Sequence, residues 1–261
     1  MTIESILEKF LKLGIKVAIG FEFEFYLLDK EGNPKNNAEI YIEKIHNILY
    51  SHSFFGYVEK ENSIGQLEIS SIANFNIIQT TNIWNDAIIK IKEFFAMQDI
   101  ILNHDAKPFL DKAGNGLHIN VSLHDIKTHN NLFAKNDQFR IDIKNQLIAY
   151  SIGGLLSHIK ANIDGYLHSD SLKSRIIHPD RNTPTNFSWG QNNRTTMIRI
   201  PESLQHAKRI ENRLPSSENN LNDVIILTLE GVLEGITEKI EPQECTYGLS
   251  FDEQYKLKKI I

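Results

Sequence analysis

The sequence predicts an α+β fold, a mainly antiparallel sheet with helices packed on one side and a polar face left open. Three observations predict it. Short segments alternate apolar and polar residues, most cleanly Leu117-His118-Ile119-Asn120-Val121-Ser122-Leu123, so each such strand has one aliphatic and one polar face. Between them lie segments of 3.6-residue apolar spacing and irregular length, which suit helices backing one side of such a sheet. No internal repeat, low-complexity tract or clear interdomain linker interrupts the chain, so residues 1–261 read as a single domain.

In chain order, the first element is an amphipathic helix from Met1 to Gly14, with Ile3, Ile6, Leu7, Phe10 and Leu11 set among Glu4 and Glu8. Its charges distinguish it from a secretory leader. A strand follows at Gly20-Phe21-Glu22-Phe23-Glu24-Phe25. Its phenylalanines face a core, while Glu22 and Glu24 project together on the other side, roughly 7 Å apart. Helical spacing recurs at 38–50 and at 76–103, through Ile77, Thr81, Trp84, Ile88, Ile91 and Phe95, with a strand at 66–72 between them. Gly114-Asn115-Gly116 then leads into the 117–123 strand, and its glycines permit φ > 0 and close approach of backbone amides to a ligand. A helix at 143–162 (Ile148, Ile152, Leu155, Ile159) precedes 163–188, the longest stretch without periodicity, which suits a binding loop or a surface excursion. Strands at 195–200 and 209–214 and a helix at 220–238 complete the pattern.

Composition narrows the function. With 41% hydrophobic residues in 261, the chain can bury a real core. Lys and Arg total 28 against 33 Asp and Glu, a net charge of -5, so no global basic field points to nucleic acid or to an anionic membrane. Any anion must be held locally. Cys245 is the only cysteine, which excludes an internal disulfide framework and a Cys-rich zinc site and suits a reducing compartment. No apolar run approaches bilayer length, and the cytoplasm is the expected location.

The polar faces carry the chemistry. They collect Glu22 and Glu24, Gln66 and Glu68, then His118, Asn120 and Ser122, and finally Arg199, Arg209, Glu211 and Arg213. Hard oxygen ligands with a single imidazole suit Mg²⁺ or Mn²⁺ better than zinc. Arginines beside such ions suit phosphate, because a guanidinium is planar, always charged and bidentate. Taken singly, each motif also fits an ordinary structure: glutamates facing water, an Arg–Glu surface ladder, a hydrogen-bonded core histidine. An acid and base pair of glycosidase type is disfavoured, since its carboxyls flank a bond at about 5 to 9 Å and two neighbours on one strand face supply that poorly.

Order and spacing together resemble the catalytic domain of glutamine synthetase. The family's G-x-E-x-E-F strand corresponds to Gly20–Phe25, and its E-x6-E with an internal G-Q-x-E to Glu61–Glu68 through Gly65-Gln66. Lys107-Pro108 with Gly114-Asn115-Gly116-Leu117-His118 resembles its K-P and G-S-G-M-H stretch, and Gly153-Gly154-Leu155-Leu156 its G-L-L helix. Trp189-Gly190, Asn193-Arg194 and Arg199-Ile200-Pro201 are similar to W-x3-N-R-x4-R-I-P, and Arg209-Ile210-Glu211-Asn212-Arg213 with Pro215 to R-I-E-x-R-x-P. The resemblance covers about 15 to 238.

The resemblance implies a curved sheet and an ATP-dependent glutamate–ammonia or glutamate–amine ligase that works through γ-glutamyl phosphate. Glu24, Glu61 and Glu68 would hold one Mg²⁺ or Mn²⁺, and Glu22, His118 and Glu211 a second. Arg194, Arg199 and Arg213 would neutralise the transferring phosphoryl group, with Arg194 and Arg213 catalytic and Arg213 also on the substrate. Asn120 and Ser122, with Arg194 and Arg199, would contact ATP, and Arg175 and the backbone at Gly114 would hold glutamate. Departures are visible too. Only about twenty residues precede Glu22, where the family has a β-grasp domain, so the chain reads as truncated at both ends, and a homo-oligomer or a separate chain would have to complete the site. No Glu follows Arg175 within 176–182, and Asp180 is the nearest acid. The alternative implied by these departures is a catalytically degenerate homologue that binds nucleotide and metal as a regulatory or interaction protein.

Overall fold

The computed structural model describes residues 1–50, 52, 54–134 and 146–261. Among them, strands β1 (Ile15–Leu28), β2 (Phe55–Lys60), β3 (Gln66–Ser71), β4 (Ile101–Asn103), β5 (Leu117–Asp125), β6 (Trp189–Gln191), β7 (Ile198–Ile200) and β8 (Ile210–Asn212) join one sheet. Its order is β2-β3-β1-β5-β8-β7-β6, with β4 also paired to β1. Every pairing is antiparallel except β6 with β7. The helices are α1 (Ile3–Lys12), α2 (Ile42–Leu49), α3 (Ile77–Ala96), α4 (Gln146–Ala161), α5 (Ile163–Tyr166), α6 (Asp170–Ile177) and α7 (Leu221–Glu238). The mixed α+β architecture with a mainly antiparallel sheet is the one the sequence predicts. No helix among the described residues is long and apolar enough to cross a membrane.

Strand periodicity sorts the two faces. On β1, Val17, Ile19, Phe21, Phe23, Phe25 and Leu27 are all buried in one core. Trp84 of α3 lies edge-on to Phe21 and Phe23, with centroids 4.9 and 5.0 Å away. Burying a large apolar side chain contributes about 1.5–3 kcal/mol, so this row alone anchors the strand and fixes which face the glutamates take. Leu117, Ile119, Val121 and Leu123 continue the same layer on β5. At the amino end, Thr2 and Ser5 form a capping box that starts α1, and Ile3, Ile6 and Phe10 bury its apolar stripe.

The pair α4 and α7 packs through glycines. A Cβ on Gly154 would lie 2.2 Å from Gly235 Cα, and one on Gly235 would lie 2.0 Å from Tyr150 O, so the two backbones approach more closely than any side chain permits.

Three expectations need correction. Helical spacing extends to residue 103 in the sequence, but α3 ends at Ala96 and Asp99 turns the chain at φ 55 into β4. The aperiodic 163–188 holds α5 and α6; both are too short to show a period, and Ser169 caps the second by accepting the Leu172 N–H. Gly114 and Gly116 do not have positive φ among the described glycines; their need is steric, since a Cβ would come within 2.7 Å of Ala106 O and 2.6 Å of His118 Nε2 respectively. Gly65, at φ 82, is the glycine whose conformation makes the β2–β3 turn. Residues 143–145 of the expected 143–162 helix lie outside the described residues.

Candidate active site

Strand register builds the floor of the site. Pairing of β1 with β3 sets Glu24 opposite Glu68, and pairing with β5 sets Glu22 opposite His118. Across β5 and β8, Asn120 faces Glu211, and across β8 and β7, Glu211 faces Arg199. Because side chains at this register share one face, residues from distant points of the chain stand side by side.

Two groups of potential ligand atoms result, each within 4.8 Å: Glu22, His118 and Glu211, and Glu24, Glu68 and His118. His118 links them, with Nδ1 3.0 Å from Glu22 Oε2 and 3.5 Å from Glu211 Oε1, and Nε2 4.0 Å from Glu24 Oε1. Supporting bonds orient the carboxylates. Asn120 Nδ2 donates to Glu22 Oε1 at 3.1 Å, the Gly116 N–H donates to Glu24 Oε2 at 2.6 Å, and Ser70 Oγ donates to Glu68 Oε1 at 2.7 Å. The wholly buried Glu211 carboxylate receives Arg199 Nη1 at 2.9 Å and also Arg213 Nη1.

The electrostatics show what the cluster wants. Burial, then repulsion from Glu22 and Glu24, pushes the Glu68 carboxyl up to about 9. Burial also opposes ionisation of Glu22, but the hydrogen bond and charge of His118 and the Asn120 amide win and hold it at about 2. Glu211 is likewise below its ordinary value: burial works against it, and Arg213, His118 and Arg199 outweigh that. A carboxyl kept protonated by burial and by its ionised neighbours fits a cluster that a bound cation would complete. Oxygen-rich donors with one imidazole fit hard divalent cations, so the residues present suit Mg²⁺ or Mn²⁺.

Above this floor is a cleft of 190 Å³ walled by Arg175, Arg194, Arg199, Arg209 and Arg213. A more apolar cavity of 400 Å³, lined by Phe75, Asn120 and Ser122 among others, adjoins it and shares Glu22, Tyr57 and Arg209. The small cleft has room for ions and a phosphoryl group, while the larger one has room for an apolar ring system. Arg175 is buried; its Nη1 donates to the Leu214 carbonyl at 2.9 Å, its Nε has no hydrogen-bond partner, and it forms no ion pair among the described residues. Burial pulls its guanidinium below the usual value. A buried cation without a carboxylate is costly, and an anionic ligand would offset that cost.

Most of the residues singled out from sequence meet here. Glu22, Glu24, Glu61, Glu68, His118, Gly114, Arg175, Arg194, Arg199 and Arg213 line the cleft, and Glu211 lies beneath it. Glu61 stands apart from both ligand groups: its Oε2 accepts from the Asn62 N–H at 2.9 Å and Nδ2 at 2.8 Å. Arg194 is exposed at the cleft, and Asn120 and Ser122 line the adjoining cavity, where Ser122 Oγ lies 3.0 Å from His124 Nε2. Sequence reasoning missed Ser70 as the group orienting Glu68, and Tyr57 and Glu59 as cleft residues. The alternation of Tyr57, Glu59 and Glu61 at period two was the available signal. It also left Asn182 and Thr183 inside an unassigned stretch, although both line the cleft.

Fold and site define a class: an α+β protein whose open antiparallel face carries an acid cluster fitted to divalent cations under a wall of arginines. The chain belongs to the glutamine synthetase family, whose catalytic-domain model matches residues 33–259. It is 30% identical over 252 residues to a glutamine synthetase of Pyrococcus horikoshii, covering 90% of this chain and 55% of that protein. It is 23% identical over 271 residues to the gamma-glutamylputrescine synthetase PuuA of Escherichia coli K12, covering 92% and 56%. The chain thus spans about half the length of these curated relatives. Among solved structures, a GmaS/ADP complex superposes with a TM-score of 0.78 at 19% identity, covering 98% of this chain and 63% of that one, which shows the fold.

Proposed function

We propose that this chain carries the catalytic centre of an ATP-dependent glutamate–ammonia or glutamate–amine ligase. One observation supports the reading above others. On a single sheet face, an acid cluster fitted to divalent cations adjoins five cleft arginines, of which Arg175 is buried without a carboxylate partner. Glu22, His118 and Glu211 would hold one Mg²⁺ or Mn²⁺, and Glu24 and Glu68, with Glu61 near by, the other. Bound there, the ions would neutralise phosphate oxygens and help align ATP. Asn120 and Ser122 suit contact with the nucleotide from the adjoining cavity. Arg194, Arg199 and Arg213 suit the charge on the moving phosphoryl group, in a reaction where catalysis is mostly positioning and electrostatics. Arg175 and the Gly114 backbone suit glutamate. Its γ-carboxylate oxygen would attack the γ-phosphorus of ATP, ADP would leave, and an amine would then displace phosphate from γ-glutamyl phosphate.

The test is a coupled phosphate-release assay with glutamate, ATP, Mg²⁺ and an amine panel that includes ammonium and putrescine. Glutamate-dependent release that rises with one amine is expected. No release with any amine would remove the ligase reading.

A second reading, binding of nucleotide and metal without turnover, is favoured by one feature. Within 176–182 the only carboxylate at the cleft is that of Asp180, and it is already engaged by the backbone N–H groups of Gly114 and Asn182. Calorimetry of ADP with Mn²⁺ separates the cases: binding without turnover supports this second reading, and no binding defeats both.

A further inference from the structure

Asp180 sits between α6 and the short strand β6, in a turn that returns the chain to the cleft. Its Oδ2 accepts the Gly114 N–H at 3.2 Å and its Oδ1 accepts the Asn182 N–H at 2.7 Å, so the carboxylate is held from two sides. Each carboxylate oxygen has two lone-pair directions, the Thr183 side chain bonds to Asp180 as well, and the residue lines the cleft. Arg175 lines the same cleft, and the two charges act on each other, yet they form no ion pair within 4.0 Å. Arg175 moreover retains its unpartnered buried Nε. A fixed cation and a fixed anion that line one cavity without pairing directly match a ligand that carries both charges on one carbon. An α-amino acid head is such a group.

Glu24 is the other carboxylate acting on Arg175, but it is committed elsewhere. Its Oε2 is taken by the Gly116 N–H and its Oε1 faces His118. Asp180 is held by two backbone N–H groups and by the Thr183 side chain, but it belongs to neither group of potential metal ligands. Ala113, next to Gly114 on the cleft wall, adds no polar side chain that could do the same work.

We propose that Asp180 is a specificity-determining residue that receives the α-ammonium of the amino-acid substrate while Arg175 receives its carboxylate. The assignment rests on the glutamate-ligase reading and adds to it a discrimination: the site selects an α-amino diacid over the same diacid without its amino group. Asp180→Asn keeps the size and one carbonyl acceptor, which can serve the Gly114 or the Asn182 N–H but not both, and removes the charge.

The experiment is calorimetry of L-glutamate and of glutarate, with Mn²⁺ and ADP present. Wild-type protein should bind L-glutamate at least about tenfold more tightly than glutarate, and Asp180→Asn should weaken L-glutamate about ten- to a hundredfold, as expected for a lost charge-assisted hydrogen bond, with glutarate unchanged. Asp180→Glu should recover part of the loss. Equal wild-type affinities overturn the inference whether or not the variant folds. A variant that loses both ligands equally, or neither, also overturns it, and tighter L-glutamate binding would show that Asp180 instead competes with the substrate carboxylate. Wild-type protein that binds neither ligand overturns the ligase reading itself.

Discussion

Glu24 on β1 and Glu68 on β3 are direct partners in the antiparallel ladder, so two carboxylates face each other where sheets ordinarily place opposite charges. Like charges directly opposite are destabilising, and the pair answers by keeping one proton: Glu68 is pushed up to about 9 by burial and by Glu22 and Glu24. The folded state therefore holds a proton that the unfolded chain releases near its ordinary carboxyl value of 4.5. Stability of the metal-free protein should fall as pH rises from about 4.5 towards 9, because the folded state binds more protons throughout that window. Glu68→Gln should flatten that slope in chemical denaturation series, and an unchanged slope would refute the assignment. In the same window Mn²⁺ binding to wild type should expel this proton, read as a calorimetric enthalpy that varies with the ionisation enthalpy of the buffer.

Glu211 depends on its two arginines. It is fully buried, and Arg199 and Arg213 both donate to it. Removing one partner of a buried pair costs about 3–5 kcal/mol when the other charge is left alone, and Arg199 still pairs with Glu211 here. Arg213→Met should therefore lower stability in urea by up to about that amount, whereas Arg213→Met with Glu211→Gln should recover much of it. If the double variant is no more stable than the single one, the charge account fails.

Much of this was legible in residue order, for physical reasons. Period-two alternation at Phe21–Phe25 and Leu117–Leu123 fixes which side chains face the core, so the polar side of those strands could be read directly. Register could not, because nothing local in Glu22 says that it will face His118 on a strand almost a hundred residues away. The same limit hid the role of Ser70, whose hydroxyl matters only once Glu68 is turned towards it. Helix α6 was lost for another reason: Asp170–Ile177 is about two turns, too short to display a 3.6-residue period, and it carries Arg175 into the cleft.

Arg175 should act on the amino-acid substrate and not on the nucleotide. Its Nη1 is fixed by the Leu214 carbonyl and its side chain abuts Gly114, so the guanidinium is presented in one orientation. Lysine carries the charge but not the planar fork. Arg175→Lys should weaken glutamate binding at least about tenfold while ADP with Mn²⁺ binds as before, since hydrogen bonds to charged groups contribute about 1.5–3 kcal/mol. Equal loss of both ligands in calorimetry would mean that the residue supports the cleft as a whole.

The glycine contact between α4 and α7 makes a prediction about the fold that is independent of the site. The side chain of Gly154 would meet Gly235 Cα at 2.2 Å and that of Gly235 would meet Tyr150 O at 2.0 Å; both obstacles are backbone and cannot rotate away. Alanine at either position normally favours a helix by about 1 kcal/mol over glycine. Here the steric term opposes it, because inserting a methyl group into a close-packed interface costs about 1–3 kcal/mol or more when the neighbours are rigid. Gly154→Ala should thus destabilise the protein in thermal and urea unfolding despite its better helix propensity, and Gly235→Ala should do the same. Because the two clashes fall on one interface, the double variant should cost less than the sum of the singles, since the first methyl already moves the helices apart. Stabilisation by either alanine would show that the helices pack at a wider spacing than the structure gives.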